Sequence, residues 1–171
     1  MAKPREIRLL AFQALFQLEA LSEGGLTAQD GEQVRESLAE VEFSDGSTPD
    51  EKDIAKAFSR AEAAFGVRRD SDRLVGQFAP AWPAHRQPAV DRAVLRLACW
   101  EMQEEGASPK AVINESVELV KAYSTERSPG FVNAVLDKVY KYLQGEKPDP
   151  VESDLALPEA TEAASEIGEA K

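Results

Sequence analysis

Few side chains in this sequence are of the types that make and break bonds. There is one histidine, His85, in a Pro-rich turn, and one cysteine, Cys99, among apolar residues. A metal centre or an acid–base site needs clustered ligands, and neither an HExxH nor a Glu-x-x-His spacing occurs. His85 therefore reads as an exposed loop residue, and Cys99 as a small hydrophobe packed within a helix rather than a nucleophile. Glu101, Glu104 and Glu105 near a helix end read as a solvated face. No Gly-rich phosphate loop is present. The expectation is a protein that is not an enzyme and takes no metal or cofactor.

Binding chemistry is better represented. Phe131 follows Ser128-Pro129-Gly130, at the start of a helix where free backbone N–H groups attract phosphate. An aromatic ring beside such a site can stack on an unpaired base, worth about 1–3 kcal/mol; a core staple fits the same position equally well. Asn133, in the first turn of that helix, either bonds neighbouring backbone or faces a ligand. Asn114 and Glu115, one turn into an apolar helix, read as bonding nearby backbone. Lys3, Arg5 and Arg8 form a small basic cluster at the start of the first helix.

The elements that must position these residues belong to a chain of 171 residues with 31 acidic and 20 basic side chains, a net charge of −11. That length fits one domain plus a tail. An acidic chain is repelled by nucleic acid as a whole, but the excess is concentrated. Residues 22–65 hold eleven acids against four bases, and residues 145–171 eight against two, whereas residues 82–144 hold eight of each. A neutral or basic face is left elsewhere. A lone cysteine makes no internal disulfide and fits a reducing compartment. No apolar run approaches the roughly 20 residues of a membrane span, and the start, Met1-Ala2-Lys3-Pro4-Arg5, leads into charge rather than a secretory segment. The expectation is a cytoplasmic protein with no membrane contact.

Apolar residues recur with the helical period nearly throughout, without sustained strand-like alternation. The first helix is expected over Pro4 to Leu21, with Ile7, Leu10, Ala11, Ala14, Leu15, Leu18 and Leu21 on one stripe and Phe12 and Phe16 on a neighbouring face. A second, acidic helix follows over Thr27 to Val41, then a turn over Phe43 to Ser47. Ser47 or Thr48 is expected to cap a third helix with Pro49 in its first turn, ending near Phe65 and Gly66. The fourth covers Arg69 to Phe78. A fifth, central helix starts at Pro88 and stops at Gly106; Ser108-Pro109 and Ser128-Pro129 start the sixth and seventh, with Val132, Val135, Leu136, Val139 and Leu143 inward. The fold class is all-α, a bundle of about seven helices over residues 1–144. Residues 145–171, acidic and without large aromatics, read as a disordered tail.

In order, the segments AFQALF (11–16), VDRAVLRLACWEM (90–102), INESVELVK (113–121) and SPGFVNAVLDK (128–138) resemble the NusB family of bacterial transcription antitermination factors. The resemblance spans most of residues 3–140. It implies two packed helical subdomains and a non-enzymatic role: binding single-stranded boxA RNA in ribosomal RNA leaders together with NusE, a small-subunit ribosomal protein, within the antitermination complex on RNA polymerase. It also implies site residues. Lys3, Arg5 and Arg8 fall on the family's basic N-terminal RNA-binding segment, and Phe16 on an aromatic position near RNA, with burial beside Phe12 the alternative. Ser128, Phe131 and Asn133 fall on the loop and helix start that complete the RNA surface, and Asp91 and Trp100 on candidate NusE contacts.

The chain departs from that pattern in places. Pro4, Glu6 and Ile7 interrupt the basic segment, Ala134 stands where glycine is common, and Arg127 stands where an acidic residue is common. Arg127 is expected to return positive charge beside Phe131. The tail is expected either to serve solubility or to compete with RNA for the basic face. Two other readings stand beside RNA capture: a protein-only adaptor whose thinned basic segment no longer grips RNA, and the accessory module of an RNA cytosine methyltransferase. The last is disfavoured by the absence of a Gly-rich cofactor loop.

Overall fold

The computed structural model describes residues 1–104 and 106–152. Among them there are seven α-helices and no strand, in two compact units, Met1–Gly66 and Val67–Lys171. Glu105 and residues 153–171, most of the expected tail, lie outside the described residues.

In the first unit, α1 (Pro4–Leu21) opens with proline, whose fixed φ suits the first helical position and whose missing N–H is not needed there. The Lys3 N–H just before it donates to Glu6 Oε2 at 2.7 Å. Ile7, Leu10, Ala11, Phe12, Ala14, Leu15 and Leu18 are buried, while Leu21, expected inward, is exposed. Beyond it a 3-10 turn, Ser22–Gly24, runs to Gly25, whose φ of 81° is available to glycine at little steric cost. Thr27 and Asp30 then cap α2 (Ala28–Ala39) reciprocally: Thr27 N–H donates to Asp30 Oδ2 at 2.7 Å and Asp30 N–H to Thr27 Oγ1 at 3.2 Å. Only Val34 and Leu38 of α2 are buried, in keeping with its acidic surface.

The third helix, α3 (Glu51–Gly66), corrects an expected cap. Asp50, not Ser47 or Thr48, closes its start: Asp53 N–H donates to Asp50 Oδ1 at 2.8 Å and Asp50 N–H to Asp53 Oδ2 at 3.1 Å. Pro49 therefore precedes the helix, because Asp50 and Asp53 stand at the spacing a reciprocal cap requires. Ser47 is engaged in its own turn, where Phe43 N–H donates to Ser47 O at 2.8 Å. α3 packs chiefly on α1; buried Ala57, Ala61 and Ala64 meet a helix that itself buries Ala11 and Ala14, and small side chains let the two backbones approach.

The second unit is built on α5 (Ala89–Gln103), which packs against α4 (Arg68–Phe78), α6 (Pro109–Tyr123) and α7 (Ser128–Leu143). Its nine buried residues include Val94, Leu95, Leu97, Ala98 and Cys99, as expected of a central helix. Burial pushes the Cys99 thiol up to about 12, with Asp72 adding to the effect. Glu101, expected on a solvated face, is buried, whereas Glu104 is exposed. Arg96 holds α5 to α4 through two bonds to Asp72, 2.8 Å and 2.7 Å. Gly106, at φ 79°, turns the chain toward α6. α7 buries Phe131, Val132, Val135, Leu136 and Val139. Beyond it, residues 145–152 have no helix, and Val151 N–H donates to the Phe78 carbonyl at 2.7 Å.

Candidate nucleic-acid interface

Each unit carries part of the expected site. In the first, Arg5 is exposed, Arg8 is half-buried and Phe16 is 37% exposed. Successive helical residues turn by about 100° at 3.6 residues per turn, so Arg5, Arg8, Phe12 and Phe16 share one side of α1. Phe12 turns into the core and supports Phe16, their ring centroids 6.2 Å apart. The outcome is two guanidinium side chains and a partly bare aromatic ring along one helix, spaced over about 16 Å at 1.5 Å per residue. Such a stripe can meet a phosphate backbone and offer a ring to a base.

Lys3 belongs less directly to that stripe. Its ammonium lies 3.4 Å from both Glu6 Oε1 and Asp45 Oδ2. The Asp45 hydrogen bond, with the charge of Glu6, raises the lysine above its ordinary value. Asp45 is itself held down to about 2, chiefly by the Ser47 hydroxyl and N–H. Lys3 therefore brings less uncompensated charge than its position implies.

In the second unit the expected residues separate into exposed and buried. Arg127 and Asn133 are exposed; Ser128 is fully buried and Phe131 is 1% exposed. Phe131 is thus a core residue rather than a stacking platform in this structure, because α7 already begins at Ser128 and carries it inward on the stripe of Val135 and Val139. Ser128 Oγ lies 3.1 Å from Ser124 Oγ and 2.8 Å from Thr125 Oγ1, so its hydroxyl works inside the α6–α7 connection. Asn114 is exposed and Glu115 half-buried on α6.

Asp91, expected at a partner contact, is instead fully buried. Val94, Leu95 and Ala98 follow it at i+3, i+4 and i+7, and all are buried, so Asp91 lies on the inner stripe of α5. Its Oδ1 accepts from the Ser124 hydroxyl at 2.5 Å, while Oδ2 is buried without a hydrogen-bond partner. Burial raises the carboxyl above the usual range, and the Ser124 and Ser128 hydroxyls offset this only in part. Trp100 is half-buried on the same helix and keeps an accessible part.

Sequence reasoning missed the carboxylates that organise these segments. For Asp91 the signal was present, an acid at helical spacing from three apolar residues. For Asp53, whose Oδ1 accepts from Ala2 N–H at 3.0 Å across 51 positions, no local pattern existed. Among the described residues no group of three or more His, Cys, Asp or Glu side chains is placed to hold a metal, and no helix is long and apolar enough to cross a membrane.

The chain matches the NusB family model over residues 5–141. It is 36% identical over 144 residues to the transcription antitermination protein NusB of Symbiobacterium thermophilum, covering 82% of this chain and 91% of that protein. The corresponding protein of Herpetosiphon aurantiacus is 35% identical over 146 residues, covering 82% and 92%. Among solved structures, Thermotoga maritima NusB (T. maritima) superposes with a TM-score of 0.66 at 31% identity, covering 82% of this chain and 93% of that one. A structure of antitermination factors NusB and NusE in complex with dsRNA shares the fold, with a TM-score of 0.61 at 23% identity, covering 81% and 96%.

Proposed function

The chain belongs to the NusB family of transcription antitermination proteins, and from that premise we propose that it captures boxA-type single-stranded RNA of ribosomal RNA leaders together with NusE. Its contribution is non-enzymatic: it bridges the nascent RNA to the antitermination complex on RNA polymerase. The observation that carries this reading is the α1 stripe of Arg5, Arg8 and Phe16, in which charge and an accessible ring share one helix side. Arg127 and Asn133 add an exposed cation and an amide from the second unit. Trp100 is the residue we assign to the NusE contact.

Phosphate contacts make RNA affinity depend on salt, with a slope of about −0.7 per neutralised phosphate for single strands. Replacing Arg5 and Arg8 by alanine should therefore weaken boxA-type RNA binding and flatten its salt dependence by about one unit. An unchanged slope would remove α1 from the interface.

A protein-only adaptor is the second reading, and the ion pairs that occupy Lys3 favour it. It requires NusE binding without selective RNA binding. Those two measurements on the same preparation separate the readings.

A further inference from the structure

Asp53 stands at the third position of α3 and is 6% exposed. One of its oxygens completes the helix cap: Oδ2 accepts from Asp50 N–H at 3.1 Å. The other serves a distant part of the chain, Oδ1 accepting from Ala2 N–H at 3.0 Å. Burial pushes the Asp53 carboxyl up, but the N–H groups of Ala2 and Asp50 outweigh it and leave the group below the usual range. An ionised acceptor shared by two backbone donors makes strong bonds.

The bond to Ala2 falls directly before α1. Ala2 precedes Lys3, whose N–H is held by Glu6 and whose ammonium reaches Asp45 in the turn before α3. The segment leading to Arg5 is therefore fastened twice, by its backbone at Asp53 and by a side chain at Asp45. The leading residues of a domain are poorly ordered unless tied down, and a segment ordered in advance need not be ordered by its ligand.

We propose that Asp53 is a positioning residue for RNA capture: it touches no RNA, but holds the Ala2–Lys3 backbone so that Arg5 and Arg8 are presented in place. The proposal rests on the RNA reading above.

The test uses the full chain and a boxA-type RNA oligonucleotide. Ala2→Pro removes the donor N–H while leaving the Asp50–Asp53 cap whole, and Asp53→Ala removes the anchor together with the cap. Each is measured alone and combined with Arg5→Ala/Arg8→Ala, alongside thermal unfolding and amide exchange of residues 3–8. Ala2→Pro should speed exchange of those amides and weaken RNA binding about fivefold, the effect of releasing on the order of one ordered residue. In the Arg5→Ala/Arg8→Ala background it should have almost no effect, because the groups it positions are gone. A role confined to global stability would weaken binding equally in both backgrounds, and that result overturns the proposal, as does unchanged affinity on the native background. If Arg5→Ala/Arg8→Ala alone leaves RNA binding unchanged, the RNA reading of α1 fails and the positioning role falls with it.

Discussion

The Asp91 carboxylate, in the first turn of α5, accepts a 2.5 Å hydrogen bond from the hydroxyl of Ser124, the residue that closes α6. Ser124 in turn lies 3.1 Å from Ser128, the first residue of α7. One buried acid thus joins the start of one helix to the end of a second and the beginning of a third. The exposed Arg127 lies in the connection so held.

The same burial sets a pH dependence. The unfolded Asp91 titrates near its ordinary 3.8, and the folded one higher. Between those values the native state binds more protons, so rising pH lowers stability across that window and leaves it level above the folded value. Asp91→Asn keeps an acceptor for Ser124 and removes the buried charge. Urea unfolding at a series of pH values should show wild type losing stability relative to Asp91→Asn as pH rises from about 3.8 toward neutrality. A relative gain for wild type would contradict the burial argument.

Phe131 and Phe16 should separate cleanly by readout. Phe131→Ala empties a buried site and should cost about 3–5 kcal/mol of stability. Phe131→Leu, which keeps the core largely filled, should leave RNA affinity within about twofold, well under the 1–3 kcal/mol of a stacked base. Phe16→Ala should weaken RNA binding with little change in unfolding. Loss of RNA affinity in a well-folded Phe131→Leu would return that ring to the interface.

Cys99 should be inert in the native protein. With its thiol pushed up to about 12 by burial, a chromogenic disulfide reagent at pH 8 should react with none of it until denaturant is added. Rapid native labelling would mean that α5 opens.

The pair Arg96–Asp72 is 13% and 26% exposed at its side chains and bonded through two nitrogens. Arg96→Ala should destabilise by about 1–3 kcal/mol, and Arg96→Lys should recover only part of it, since an ammonium cannot reproduce the fork. Chemical denaturation of both variants checks this; a lysine variant equal to wild type would show that charge alone suffices.

Helix identity was legible because period and punctuation agreed. Pro4, Pro109 and Pro129 stand in the first turns of α1, α6 and α7, and Gly106 follows α5, as their backbone preferences require. The cap of α3 was misplaced because Ser47-Thr48-Pro49 is as good a start signal as Asp50, and the choice was decided by Asp53, three residues on. Phe131 was ambiguous because its side depends on where α7 begins; a start at Ser128 aligns it with Val135 and Val139. Asp91 was assigned by family position, while its spacing from Val94, Leu95 and Ala98 already marked the inner stripe. The Ala2–Asp53 bond joins residues 51 apart, a relationship only the folded chain expresses.

The most direct test of RNA capture is fluorescence anisotropy of a labelled boxA-type RNA and a scrambled control, each titrated with this protein alone and with NusE at two salt concentrations. Binding selective for the boxA-type RNA, tightened by NusE and weakened by salt, is the predicted result. No selective binding even with NusE present would contradict it and leave the protein-only adaptor.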